Sequence, residues 1–501
     1  MSSRLPFLIA RVSAGVLVGF LLGGCARAPD AVLRVGLSTA PTTLDPRLAT
    51  DATGARLCRL VYSALVDFDP QFMPRPSLAT WDLVAPTRYR FHLPATVRFH
   101  DGRWLRAADV VATYTSMLDP NRASPLRGSF ANLRAITAVD PLTVEFELRQ
   151  PDSLFPGLLV IGILPAADAQ LARLPNIPVG SGPFRIAAPV TANRVDLTRV
   201  ADQQKVAFVV IPNETTRALM LARGELDLAQ GGFAPELVTW LAARDEIKVT
   251  RRRGTVFSYL GFNLRDGPTR DLRVRQALAH AIDRTAIVHD AFHDQARLAN
   301  AILVPSHWAG APALEPLPFD PPRARALLAA AGYSPTHPLV LDYKTSSDSF
   351  RRRIATIVQS QLQDVGVVLR IQSLDWGTFY GDIKAGHFAV YSLSWVGLQL
   401  PDIFRHAFHS AATPPAGANR GYYANPHVDQ LIEQAERTHD LSLRAGLYRE
   451  LQTTLLRDLP YLPLWYEDIA LVQRVRVVGY DTDANGNYDG LAQVTALALK
   501  K

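Results

Sequence analysis

Tyr89-Arg90-Phe91-His92-Leu93 runs on through Val97-Arg98-Phe99-His100-Asp101-Gly102 to Ala108-Asp109-Val110. The first five residues alternate apolar and polar, as one half-buried β-strand does. His100-Asp101-Gly102 reads as a tight turn ending a strand, because glycine tolerates positive φ and aspartate caps its own backbone. That reading is structural, not that of a metal site. Working outward, Leu33-Arg34-Val35-Gly36-Leu37 and Thr143-Val144-Glu145-Phe146-Glu147-Leu148 alternate in the same way. Helices are as legible. Asp320-Pro321-Pro322 ahead of Arg323 to Ala331 and Gly332 supplies an N-cap, early prolines and a C-terminal glycine. Val274, Ala277, Leu278, Ala281 and Ile282 share one helical face. Asn425-Pro426 opens another helix, with Val428, Leu431, Ile432 and Ala435 on its inner side. From Ser373 the order is loop, helix from Trp376 to Lys384, Gly386, then a strand from Phe388 to Trp395. Trp395 thus arrives at the C-terminal end of a strand, where α/β folds place ligand clefts. No repeat and no low-complexity linker interrupts this alternation, so the expected fold class is mixed α/β.

Composition narrows the function. The chain has 501 residues, 48% hydrophobic and 20% charged, which excludes collagen, a coiled coil and wholesale disorder and leaves room for two or three domains. Only Cys25 and Cys58 are present, so a disulfide scaffold or a four-thiolate zinc site is excluded. Cys58 lies in a mixed apolar stretch and reads as a buried structural thiol. The net charge of +7 is carried almost wholly by arginine. Its densest runs, Arg251-Arg252-Arg253 and Arg351-Arg352-Arg353, are short and lack stacking aromatics, so no nucleic-acid partner is expected. His289 and His293 have zinc-gripping spacing, but Asp290 stands where a zincin needs glutamate. Asp481-x-Asp483-x-Asn485-Gly486 begins like a calcium loop, yet its twelfth position is Ala492. There is no phosphate loop and no nucleophile elbow. Neither an enzyme nor a cofactor is expected, and no metal site.

The first residues read as an address. Arg4 and Arg11 precede an apolar run from Val12 to Gly24 of 13 residues. A membrane-spanning helix needs about 20, so the run is a signal-peptide core. It ends Leu22-Gly23-Gly24-Cys25, which resembles the lipobox of bacterial lipoproteins. The resemblance implies that residues 1–24 are removed and that Cys25 carries lipid. The expected location is the periplasm or cell envelope, anchored to a membrane.

An ordered series of segments carries a second resemblance. It begins at Arg34-Val35-Gly36 and Thr43-Leu44-Asp45-Pro46, continues through Tyr62-Ser63-Ala64-Leu65-Val66 and the opening stretch, and reaches Gly180-Ser181-Gly182-Pro183-Phe184. Arg217 through Gly224-Glu225-Leu226-Asp227, Phe262-Asn263, Arg273 to Leu278, Ala281 to Arg284, Leu362 to Gly366, Asp375-Trp376, Asn425-Pro426 and Pro460 to Leu464 follow. The chain resembles the family 5 extracellular solute-binding proteins of ABC importers, which include oligopeptide-, dipeptide- and nickel-binding proteins. The resemblance implies a two-lobed periplasmic-binding-protein fold, class II-like, with a hinge of two crossing segments. Lobe I would begin at residues 25–64, carry an extra subdomain at 65–175, continue at 176–262 and return at 469–501. Lobe II would span 263–468, with crossings near Asn263–Gly267 and Trp465–Ala470. Arg273 and Arg275 would flank an apolar helix face and pair with acids. The implied partners are a small-molecule or peptide ligand and the permease membrane subunits, and a monomer is expected. Rival readings are a nickel-chelate binder, a sensory lipoprotein and a metallohydrolase built on His289 and His293.

The resemblance also proposes a cleft. Trp376 and Trp395 are 19 residues apart, the separation of two cleft tryptophans in oligopeptide-binding members. Aromatic faces accept varied side chains because stacking is not sequence-specific. Tyr62 and Phe130 are further ligand-binding candidates, as are Asp402 and Arg405, with His406 and His409 beside them. The departures matter more. Leu398 stands where those members carry the aspartate that pairs with a peptide amino terminus. Ile383 and Ser392 stand where basic residues meet the peptide carboxylate. A plain peptide held by both termini is therefore not the expected ligand.

Overall fold

The computed structural model describes residues 32–122 and 124–497. The leader and Cys25 lie outside them. Two long antiparallel strands, Ile247–Phe262 and Tyr461–Arg474, form the spine of an eleven-stranded sheet. On one flank lie Leu228–Gln230, Leu33–Leu37, Lys205–Val210, Arg194–Arg199 and Phe184–Ile186. On the other lie Val390–Trp395, Leu339–Ser346 and Val367–Leu374. Each flank has its own helices and apolar core, so the mixed α/β body is two-lobed. The spine strands pair Ile247–Arg252 with Ile469–Arg474 beside the first flank. They pair Val256–Gly261 with Tyr461–Glu467 beside the second. The register shifts between Arg252 and Val256, where the sheet passes from one lobe to the other.

An insert in the first lobe carries a four-stranded antiparallel sheet in the order Thr80–Ala85, Arg88–His92, Thr143–Leu148, Leu133–Asp140. Helix Ala107–Leu118 backs it, and Phe91, Tyr114, Phe146 and Phe155 fill the space between. The alternating residues of the opening stretch explain the strand: Tyr89 and Phe91 are buried while Arg88 and His92 face outward.

The family-like segments meet in a structural knot. His100 N–H donates to the Gly180 carbonyl at 2.8 Å, and its Nε2 lies 2.9 Å from the Gly182 carbonyl. Ser63 Oγ donates to the Ser181 carbonyl at 2.9 Å. Any side chain on Gly180 would collide with the Val61 carbonyl, so glycine is required there by close approach. The His100-Asp101-Gly102 turn sits inside a single-bridge hairpin between Arg98 and Trp104 rather than at the end of a strand, with Gly102 at φ 91°. Arg273 pairs with Asp271 at 2.6 Å as expected. Arg275 departs from expectation. It donates to the backbone carbonyls of Thr269, Arg270 and Asp458, because burial brings it to the last carbonyls of helices Pro268–Arg270 and Leu441–Asp458 rather than to an acid. Cys58 is buried, and burial pushes its thiol well up.

Candidate functional site

Three parallel strands of the second lobe, Leu339–Ser346, Val367–Leu374 and Val390–Trp395, end at one edge of the sheet. Trp395 is half-buried at that edge. Trp376 opens helix Trp376–Ala385, whose N-cap Asp375 accepts Thr378 N–H, and whose end is set by Gly386 in the left-handed region at φ 79°. Trp376 is 60% exposed and stacks on Tyr380, ring centroids 5.4 Å apart and 6° from parallel. The guanidinium of Arg420 lies 5.3 Å from the Tyr380 ring and 5.1 Å from the Trp395 ring. The two tryptophans are thereby joined into one wall, Trp376–Tyr380–Arg420–Trp395. His406 meets Trp395 edge-on at 6.0 Å. Burial, and then the Arg420 charge, push its imidazole below the usual range.

The neighbouring polar residues are held elsewhere. Arg405 grips Glu436 with two hydrogen bonds of 2.7 Å. Asp402, ahead of helix Ile403–Phe408, has its carboxyl pushed up to about 7 by burial and by the charges of Asp152 and Glu436. Asp152, in the insert, is pushed up to about 6, chiefly by burial. Deeper toward the hinge, Arg351 holds Glu467, which also accepts Ser258 Oγ at 2.6 Å; Ser258 in turn lies 2.7 Å from Ser394 Oγ.

Tyr62 and Phe130 do not join this wall. Tyr62 is buried in the first lobe's core and donates its hydroxyl to the Leu44 carbonyl at 3.0 Å. Phe130 packs edge-on against Tyr114 at 5.6 Å in the insert's core. Leu398 and Ile383 are buried in the second lobe's apolar core. Ser392 Oγ lies 3.3 Å from Thr345 Oγ1. None of these three supplies a charge.

The insert touches the second lobe. Arg444 donates to Ser153 Oγ of the insert, and Ser153 Oγ donates to the Thr438 carbonyl at 3.1 Å. Phe72 stacks on His307 at 5.0 Å. Elsewhere between the lobes, Arg353 of helix Ser349–Gln363 meets Glu236 of helix Pro235–Ala242. His289 faces Asp294 at 3.3 Å and His293 faces Glu236 at 3.9 Å, so the histidine pair shares no centre. Asp483 accepts Asn485 N–H and Asn487 N–H, closing a turn. Among the described residues no three His, Cys, Asp or Glu side chains form a group that could hold a metal. No helix among them is long and apolar enough to cross a membrane. Sequence reasoning missed Arg420 and the Arg351–Glu467–Ser258 chain. Arg420 carries no spacing signal, and the other three are scattered over more than 200 residues.

Two lobes sharing one sheet, with an aromatic and cationic wall where parallel strands end, define a substrate-binding protein of the two-lobed periplasmic class. The chain belongs to the bacterial extracellular solute-binding proteins, family 5, of ABC importers; the family model matches residues 73–413. The glutathione-binding protein GsiB of Escherichia coli K12 is 26% identical, over 94% of this chain and 95% of that protein. Di/tripeptide-binding protein 2 of Pseudomonas aeruginosa is 29% identical, over 93% of this chain and 95% of that protein. The dipeptide-binding protein of Pseudoalteromonas sp. SM9913, solved with Met-Leu, superposes with a TM-score of 0.82 at 26% identity, over 93% of this chain and 100% of that one. NikZ of Campylobacter jejuni, solved with Ni(L-His), shares the fold with a TM-score of 0.82 at 24% identity, over 93% and 99%.

Proposed function

We propose that this protein captures a peptide-like small solute between its lobes and delivers it to the membrane subunits of an ABC importer. The observation that carries the reading is the Trp376–Tyr380–Arg420–Trp395 wall at the ends of three parallel strands, with the insert seated against the same lobe. Flat aromatic faces bury side chains of many shapes, which suits a transporter that accepts related solutes. Relatives named for glutathione and for di- and tripeptides, each matching along nine-tenths of the chain, support a peptide-like ligand. No bond is made or broken. Ligand contacts to both lobes favour the closed form, and the permease reads that form. Closure turns on the two crossing segments near Asn263–Gly267 and Trp465–Ala470; the register break between Arg252 and Val256, opposite Ile469 and Glu467, supports the second of them. The mature protein is a monomer tethered by lipid on Cys25.

The test is a titration of the purified protein with dipeptides, tripeptides, glutathione and Ni(L-His), followed by tryptophan fluorescence and calorimetry. Saturable binding of a peptide or glutathione is expected. Binding of the nickel chelate alone would overturn the reading in favour of metal uptake.

A further inference from the structure

We propose that Arg420 is the anchor for a carboxylate of the transported solute, so that the ligand is an anionic, carboxylate-bearing molecule. This rests on the proposed transport function and names the chemistry of its ligand. Among the described residues seven arginines are buried: Arg47, Arg199, Arg217, Arg275, Arg284, Arg420 and Arg444. Arg47 and Arg199 pair with Asp45 and Asp202. Arg217, Arg275 and Arg284 donate to backbone carbonyls. Arg444 donates to Ser153 and covers Trp308. Arg420 alone stands in the wall between the two cleft tryptophans, and it has no carboxylate and no carbonyl on its guanidinium. Its one side-chain hydrogen bond runs from Nη2 to the Tyr380 hydroxyl at 3.0 Å. Its Nε–H is buried without an acceptor, and so is the indole Nε1–H of Trp395 beside it. The surrounding phenols of Tyr259 and Tyr391 are kept neutral by burial and cannot balance the charge.

A buried guanidinium with no counter-charge is costly unless something supplies one. The Arg420 guanidinium carbon lies 5.1 Å from the centre of the Trp395 ring, which sets a charged donor beside a neutral one for the two oxygens of a carboxylate. The loop that carries Arg420 reaches the insert, where Ala416 lies against Gly128, so the site is positioned in the cleft between the lobes. The arrangement also answers the loss of basic side chains at Ile383 and Ser392: the positive charge enters from a different loop on the same wall.

The experiment compares each ligand with a version lacking the negative charge. Ala-Leu-Ala and its carboxamide, and glutathione and its dimethyl ester, are titrated against the wild type, Arg420→Gln and Arg420→Lys. The free acids are expected to bind about 10- to 100-fold tighter than the neutral analogues, the scale of a charge-assisted hydrogen-bonded pair. Arg420→Gln should erase that preference, so that each acid binds no tighter than its neutral analogue, and Arg420→Lys should keep part of it. Equal binding of acid and amide by the wild type, or equal weakening of both by Arg420→Gln, overturns the proposal. If no peptide or glutathione binds, the peptide-like reading fails, and sodium propionate against propionamide decides the anchor. Propionate should raise the melting temperature of the wild type and not of Arg420→Gln. No such difference overturns it. Circular dichroism confirms folding, and Trp395→Phe, which removes only the indole donor, gives a second variant expected to lose part of the acid preference.

Discussion

Arg353, in the second lobe's helix Ser349–Gln363, donates from Nη1 to Glu236 Oε1 of the first lobe's helix Pro235–Ala242 at 2.7 Å. The two side chains are 41% and 48% exposed, so the pair adds at most about 1 kcal/mol. Because it joins the lobes, that energy acts on closure rather than on folding. Glu236→Gln should leave the denaturation midpoint unchanged and weaken ligand binding up to about fivefold. The loss should vanish at 1 M salt, where such charges are screened. Titrations at low and high salt check this, and a salt-independent loss would contradict it.

The Arg351–Glu467 pair works differently. Its bonds are 2.6 and 2.9 Å, and both side chains are mostly buried beside Ser258. Burial alone would push the Glu467 carboxyl up; Arg351 and Ser258 outweigh it and hold it below the usual range. Removing one partner strands the other, so Arg351→Met should cost about 1–3 kcal/mol of folding stability. Urea denaturation measures this, and Glu467→Gln should give a loss of similar size.

The parts of the fold legible in the sequence are those fixed by neighbours in the chain. Asp375, Asp320 and Asn425 cap helices through residues two or three positions on, and Gly386 ends one by its own φ. The Trp376 and Trp395 placements follow from the same local order. Tyr62 and Phe130 show the limit. An aromatic after a helix looks alike in a wall and in a core, and only packing against Leu44 or Tyr114 separates them. Arg420 shows it from the other side, since lacking a partner is a property of the folded surroundings. The register break at Arg252/Val256 depends on a strand more than 200 residues away.

Trp395 forms one end of the wall and is already half-buried. Trp395→Ala should therefore weaken ligand binding by about 1–3 kcal/mol, the scale of a lost aromatic contact. Calorimetry on the folded variant decides. Unchanged affinity would remove Trp395 from the site.

Cys25 follows Leu22-Gly23-Gly24, the ending from which a lipid anchor is inferred. A lipid pair holds a protein to a bilayer far more strongly than any exposed polar surface can. Cys25→Ser should move the protein from the membrane fraction to the soluble fraction of the cell envelope. Continued sedimentation with membranes would refute the anchor.

Asp402 of the second lobe feels the charges of Asp152 in the insert and of Glu436, to which Arg405 is bound. Burial and these like charges raise the Asp402 carboxyl from 3.8 to about 7. The folded state therefore holds more protons than the unfolded state between those values. By linkage, the stabilising contribution of Asp402 is fully present below about pH 4 and is lost as the pH rises through 7. Asp402→Asn keeps the shape and cannot ionise. It should match the wild type near pH 3 and exceed it by about 1–3 kcal/mol at pH 8. Denaturation midpoints across that range check the sign. Parallel pH profiles for the two proteins would show that Asp402 ionises in the folded state as freely as in water.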